Sequence, residues 1–164
     1  MPPTTPHSRL ETLRRSGQTD HPSADGERLL SYGTLQIPDV LDILLGRQPR
    51  QTPATIHGWR VVALNNRPYP VLVPGTGSDH VTGLVFTDLT DDEWATVDAF
   101  EDPVYDLHEI PVADAPPAWA YASTSSPTAT THPWALETFV ETELPAYLRS
   151  CRQWRARHSG ISAR

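Results

Sequence analysis

Apolar and polar positions along the chain divide it into a patterned centre and two unpatterned stretches. Residues 1–27 hold Pro, Thr, Ser, His and charge with few large apolar groups. Residues 8–15 have enough periodicity for two helical turns, too short to stand alone. Residues 1–27 are therefore expected to be a mostly disordered tail. The pattern begins at Leu29-Leu30-Ser31-Tyr32, a first strand. Pro38 suits the first position of a helix and Gly46 the position just past its end. Val40, Leu41, Ile43, Leu44 and Leu45 give that helix a broad apolar face. Residues 54–58 and 59–64, rich in β-branched and aromatic side chains, read as strands. Asn65-Asn66-Arg67-Pro68 reads as a turn. Residues 69–74 are extended, and their prolines suit an edge. Residues 81–86 form a strand with Gly83 inside it, at a bulge or a close backbone approach.

Thr90-Asp91-Asp92-Glu93 has the form of a capping box, and Trp94, Val97 and Phe100 follow at helical spacing. Asp102-Pro103 should stop that helix. Residues 105–113 alternate as a strand, with Leu107, Glu109 and Pro111 on one face and His108, Ile110 and Val112 on the other. Trp119-Ala120-Tyr121 begins a short strand after Pro116-Pro117. Residues 123–133 are small, polar and low in complexity, and read as a linker. From 134 to 158, Leu136, Phe139, Val140, Leu144, Leu148, Cys151 and Trp154 recur at helical spacing. Pro145 should kink that helix or split it into a pair. Glutamates sit early in it and arginines late, in keeping with the helix dipole. Its apolar face is expected to pack on the chain's own core, with partner binding as the other reading. Residues 159–164 are a short tail.

Composition narrows the function classes. A chain of 164 residues suits one domain with tails. Its 17 prolines favour short elements and many bends. The net charge of -7 argues against nucleic acid as a partner. The single cysteine, Cys151, excludes an intramolecular disulfide and reads as a packed thiol. No apolar run approaches a membrane span. Residues 1–20 lack a signal-peptide core. The expectation is a soluble cytoplasmic protein without a membrane partner.

Most catalytic signatures are missing. There is no phosphate loop with lysine, no HExxH, no paired-cysteine spacing, no calcium loop and no nucleophile elbow. No metal site is expected. Two features remain. Ser31-Tyr32-Gly33-Thr34-Leu35 lies between a strand and a helix. It reads as a plain connection needing a glycine, or as a turn whose amides converge on an anion. Residues 88–114 carry ten acids and no arginine, a pattern that suits a solvated surface. Glu101 stands out among them because it follows Phe100 at a helix end. A helix C-terminus disfavours a carboxylate, and burial beside Phe100 would act in the same direction. Such a group suits proton transfer near neutral pH.

Taken in order, Leu30-Ser31-Tyr32-Gly33-Thr34-Leu35, Tyr69-Pro70, residues 81–86, Leu89, Asp98-Ala99-Phe100-Glu101, Tyr105 and residues 118–121 resemble the γ-glutamylcyclotransferase-like (AIG2-like) superfamily. The resemblance covers residues 28–122, taken as the domain. It implies an α+β fold: a small mixed sheet forming a twisted, partly closed barrel with short helices, here with a C-terminal helical extension. It implies that Tyr32, Gly33, Thr34 and Leu35 hold the glutamyl end of a small-molecule γ-glutamyl substrate. It implies Glu101 as the acid/base residue, Tyr105 and Tyr121 as pocket tyrosines, and no cofactor. The implied reaction releases 5-oxoproline and an amine or amino acid by attack of the substrate's own α-amino group. Asp102 stands where the family pattern usually has glycine, and Leu107 where it usually has arginine. These departures keep open a non-catalytic binding or regulatory protein on the same fold.

Overall fold

The computed structural model describes residues 27–125 and 128–159. The expected tail falls almost wholly outside them, as do residues 160–164. Glu27, counted with the tail, accepts a hydrogen bond from Trp119 Nε1 at 2.6 Å.

Strand β1 (Leu29–Ser31) lies at the centre of the molecule. It is followed by a single 3-10 turn (Thr34–Gln36) and helix α1 (Pro38–Leu45). Then come β2 (Gln51–His57), β3 (Trp59–Leu64), β4 (Pro70–Pro74) and β5 (His80–Phe86). Helix α2 (Asp91–Phe100), β6 (Asp106–Val112), β7 (Ala115–Ala122), β8 (Ala129–Pro133), α3 (Leu136–Thr142) and α4 (Leu144–Arg157) complete the order. The main sheet has five strands in the order β2-β5-β1-β7-β6, and a smaller one runs β4-β3-β8. The β1–β7 pair is parallel, and the other pairs are antiparallel. The result is a mixed α+β fold with a curled, half-barrel sheet, as the resemblance implied.

Local chemistry explains how the chain bends between the two sheets. Gly58 joins β2 to β3 at φ 83°, a left-handed conformation that suits glycine. Its N–H donates to Asp79 O at 2.9 Å. Gly46 ends α1 at φ 72°, as its position just past the apolar run suggested. The capping box at α2 is complete. Glu93 N–H donates to Thr90 Oγ1, and Thr90 N–H to Glu93 Oε1. Such a cap is worth about 1 kcal/mol.

β1 is buried on both faces. Leu29 belongs to a hydrophobic cluster with Val40, Leu44, Phe86, Trp94 and Trp119. Leu30 belongs to a second cluster with Ile56, Leu72, Val85 and Ile110. A strand covered on both sides has apolar side chains on both faces, as Leu29 and Leu30 do in β1. Phe139, Tyr147 and Cys151 of α3 and α4 sit in the first cluster. The C-terminal helices therefore pack on the chain's own core, and the chain splits between them at Glu143, just before Pro145.

Two expectations need correction. The stretch 123–133 is not simply a linker: Ala129–Pro133 forms β8 against β3. Its hydrogen bonds are largely main-chain, joined by Thr130 Oγ1 donating to Ala63 O at 2.8 Å, so no apolar alternation marks it. Strand β7 starts at Ala115 and includes both prolines. The β1 ladder meets β7 at Trp119, beyond the prolines, and a proline beside an unpaired strand side costs no ladder donor there.

Candidate active site

A cavity of about 270 Å³ opens where the end of β1, the end of α2 and the inner face of α4 converge. Tyr32, Gly33, Thr34, Leu35, Glu101, Tyr105 and Tyr121 all line it. The fold thus brings together every side chain singled out from the sequence, although Glu101 lies 66 residues beyond Leu35 in the chain.

The turn at the cavity floor is built by main-chain bonds. Gln36 N–H donates to Gly33 O, and Ile37 N–H to Thr34 O, each at 3.1 Å. The amides of Gly33, Thr34 and Leu35 lie ahead of the first such donor, where a helical turn has no internal acceptor for them. Gly33 is closely packed. A Cβ there would stand 3.1 Å from Pro70 Cγ and 3.3 Å from Pro70 Cδ, in a stiff ring. Thr34 directs its hydroxyl to the Tyr147 hydroxyl at 2.9 Å, which ties the turn to α4.

The tyrosines are committed to protein acceptors. Tyr32 OH donates to Tyr121 O, and Tyr105 OH donates to Pro70 O. Tyr121 OH donates to Asp98 Oδ1 at 2.9 Å, and Asp98 is buried on α2. Burial pushes Tyr32 well above the usual phenol range, and the nearby Glu101 charge adds to this, against an opposing backbone hydrogen bond from Leu72. Burial likewise raises Tyr105, helped by Tyr32 and Glu101. Burial raises Tyr147, with Cys151 and Glu101 adding to it and the Thr34 hydrogen bond opposing. These groups stay neutral phenols at working pH. Burial also pushes the Cys151 thiol up to about 11, so it stays protonated.

Glu101 caps the C-terminus of α2 in an extended conformation, with its N–H donating to Val97 O at 3.0 Å. Asp102 follows it into the cavity wall. Burial opposes the charge on Asp102, but hydrogen bonds from Tyr69 and Val104 and the Arg67 guanidinium outweigh this and hold it below the usual carboxylate range.

Sequence reasoning named Tyr69 and Phe100 among the motif residues but did not assign them, or the wall from α4, to the site. Tyr69, Phe100, Tyr147, Trp154 and Arg157 also line the cavity. Phe100 meets Trp154 edge to face, with ring centroids 5.1 Å apart. The helical spacing of Cys151 and Trp154 was visible, but it does not reveal that the stripe faces a cavity.

Comparison with known proteins bears on the family and the fold. The family pattern described as "Gamma-glutamyl cyclotransferase, AIG2-like" matches residues 29–140, reaching past the region the motifs covered. "AIG2-like protein C" of Arabidopsis thaliana is 41% identical over 85 residues, 51% of this chain and 48% of that protein. "AIG2-like protein D" of the same plant is 37% identical over 81 residues, 49% of this chain and 53% of that protein. The chain thus spans about half the length of these curated relatives. An Arabidopsis thaliana solution structure superposes with a TM-score of 0.59 at 21% identity, over 83% of this chain and 86% of that one. A structure titled "Gamma-glutamyl cyclotransferase" superposes with a TM-score of 0.53 at 15% identity, over 85% of this chain and 90% of that one. Identities this low bear on the fold alone.

Proposed function

The chain belongs to the AIG2-like γ-glutamyl cyclotransferase family, and on that premise we propose that it is a γ-glutamylcyclotransferase. The observation that carries the reading is that Glu101 and the turn at residues 32–35 line one cavity. The substrate is a γ-glutamyl amide of an amine or amino acid. Its α-amino nitrogen attacks the γ-carbonyl carbon, forming the ring C–N bond. The bond from that carbon to the leaving nitrogen then breaks. The products are 5-oxoproline and the free amine or amino acid.

Each step needs little from the protein beyond placement and one proton carrier. The nucleophile is tethered to its target, so ring closure has the advantage of an intramolecular reaction. Glu101 takes the proton from the attacking nitrogen and delivers it to the leaving nitrogen. Among the lining groups, Tyr32, Tyr69, Tyr105, Tyr147 and Cys151 stay protonated, and Asp102 is committed to Arg67, Tyr69 and Val104. The amides of Gly33, Thr34 and Leu35 bind the glutamyl end and stabilise charge that develops on the substrate.

A second reading is a non-catalytic small-molecule binder or regulatory protein. It draws on Asp102 in place of the family's usual glycine and on relatives whose names carry no activity. A panel of γ-glutamyl amines and γ-glutamyl amino acids, assayed for 5-oxoproline release, separates the two. Release from at least one compound is the expected result. Binding of a panel member without release of any 5-oxoproline would leave the second reading in place of the first.

A further inference from the structure

Asp102 joins the two halves of the site. Its Oδ2 accepts from Tyr69 OH at 2.6 Å and from Arg67 Nε at 2.7 Å. Its Oδ1 accepts from Val104 N–H at 2.9 Å, and its carbonyl from Tyr105 N–H at 3.0 Å. Only 9% of its side chain is exposed, so solvent screens this pairing less than it would at the surface. The consequences reach both ways along the chain. On one side the clamp fixes the backbone as it leaves Glu101. On the other it holds Tyr69, and with it Pro70, whose ring stands against Gly33.

We infer that Asp102 is a positioning residue: with Arg67 and Tyr69 it sets Glu101 against the Gly33 turn and holds a paired negative charge beside it. This rests on the reading of Glu101 as the acid/base group. The tyrosines and the thiol around Glu101 do not supply that charge. Tyr32 just after β1, Tyr69 and Tyr105 ahead of β4 and β6, and Tyr147 of α4 stay neutral, as does Cys151 of α4. Asp98, one turn earlier on α2, is bonded to Tyr121 of β7. Arg157 lines the cavity from the far end of α4. Asp102 and Arg67 are therefore the adjacent opposed charges that can be altered separately.

Separate alteration is the test. Asp102→Asn removes a negative charge near Glu101 and leaves Arg67 uncompensated, and both changes ease ionisation of Glu101. The acid limb of the kcat/KM profile should move to lower pH by about 0.5 unit or more. Arg67→Gln leaves Asp102 uncompensated, so the limb should move to higher pH by a similar amount. Tyr69→Phe loosens the clamp without changing charge, so the limb should stay in place. In all three variants kcat should fall about tenfold to a hundredfold, with KM changing far less. A merely structural carboxylate would lower Tm without driving the limbs in opposite directions. The same displacements should appear in a ¹³C NMR titration of the Glu101 carboxyl, which needs no turnover. If wild type releases no 5-oxoproline but the NMR shifts are opposed, the placement of charge stands and the catalytic reading fails. If wild type is active and the limbs of Asp102→Asn and Arg67→Gln coincide or move together, the positioning role is overturned. Should Asp102→Asn not fold, an unmoved or downward limb in Arg67→Gln overturns it equally.

Discussion

Gly83→Ala is the sharpest packing test, because its cost can be worked from the contacts around one added carbon. Gly83 lies in β5 between β2 and β1, opposite Ala54 on the β2 side. A Cβ there would stand 2.3 Å from Ser31 O, 3.2 Å from Ser31 C and 3.4 Å from Tyr32 Cα. These are main-chain atoms that no rotamer change can clear. A carbon–oxygen contact needs ~3.3 Å, so β1 and β5 must part by roughly 1 Å at this point. Overpacking of this kind costs about 1–3 kcal/mol. Weakening one ladder bond beside it adds about 1 kcal/mol. The sum, about 2–4 kcal/mol, corresponds to a Tm lowered by roughly 7–15 °C for a folded unit of ~130 residues. The displacement falls on Ser31 and Tyr32, which lead into the Gly33 turn, so kcat/KM should drop at least about tenfold. Differential scanning calorimetry and 5-oxoproline release measure the two effects. A Gly83→Ala protein with Tm within ~2 °C of wild type and unchanged kcat/KM would refute the close approach of β5 to β1.

Two further outcomes follow from the same contacts. Tyr147→Phe deletes the hydroxyl bonded to Thr34 and should cost about 0.5–1.5 kcal/mol; urea denaturation measures it, and no loss would mean that α4 does not brace the turn. Asp88, Glu93 and Asp102 are all held below the usual carboxylate range, so in the window between their folded and unfolded values the unfolded chain binds more protons. Their stabilising contribution is complete above the unfolded carboxylate range near pH ~4 and is lost as pH falls through the lower folded values, so stability at pH 3 should be clearly below that at pH 6. Equal stability at the two pH values would contradict these pairings.

What the sequence could reveal depended on how local each cause is. Pro38 and Gly46 bound α1 because a helix start and stop are decided by a few residues, and the Thr90–Glu93 box is equally local. Gly83 was readable as a bulge or a close approach, and the contact with Ser31 O decides for the second. The glycine at position 33 was also noticed, but the ring that crowds it belongs to Pro70, 37 residues on. β8 escaped because Ala129–Pro133 has no apolar alternation and is held mainly through main-chain pairing with β3. The role of Asp102 could not be read from its neighbours, since Arg67 and Tyr69 reach it from more than 30 residues away. The residues that line the candidate site from β1 and α2 were legible as an ordered set of motifs, while the wall that α4 adds was visible only as an apolar stripe.

The central claim is that Glu101 carries the proton transfers, and Glu101→Gln tests it most directly. Glutamine keeps the size and polarity of the side chain but cannot act as a base at neutral pH. Removing a carboxylate from the C-terminal end of α2 also removes a charge that the helix dipole disfavours, so folding should be retained or slightly improved. Binding of a γ-glutamyl compound should survive. The measurement is the rate of 5-oxoproline release by wild type and Glu101→Gln at saturating substrate. The expected result is a fall of at least ~10²–10⁴-fold in kcat, with Tm and ligand binding close to wild type. A folded Glu101→Gln protein that keeps more than about a tenth of wild-type turnover would contradict the assignment.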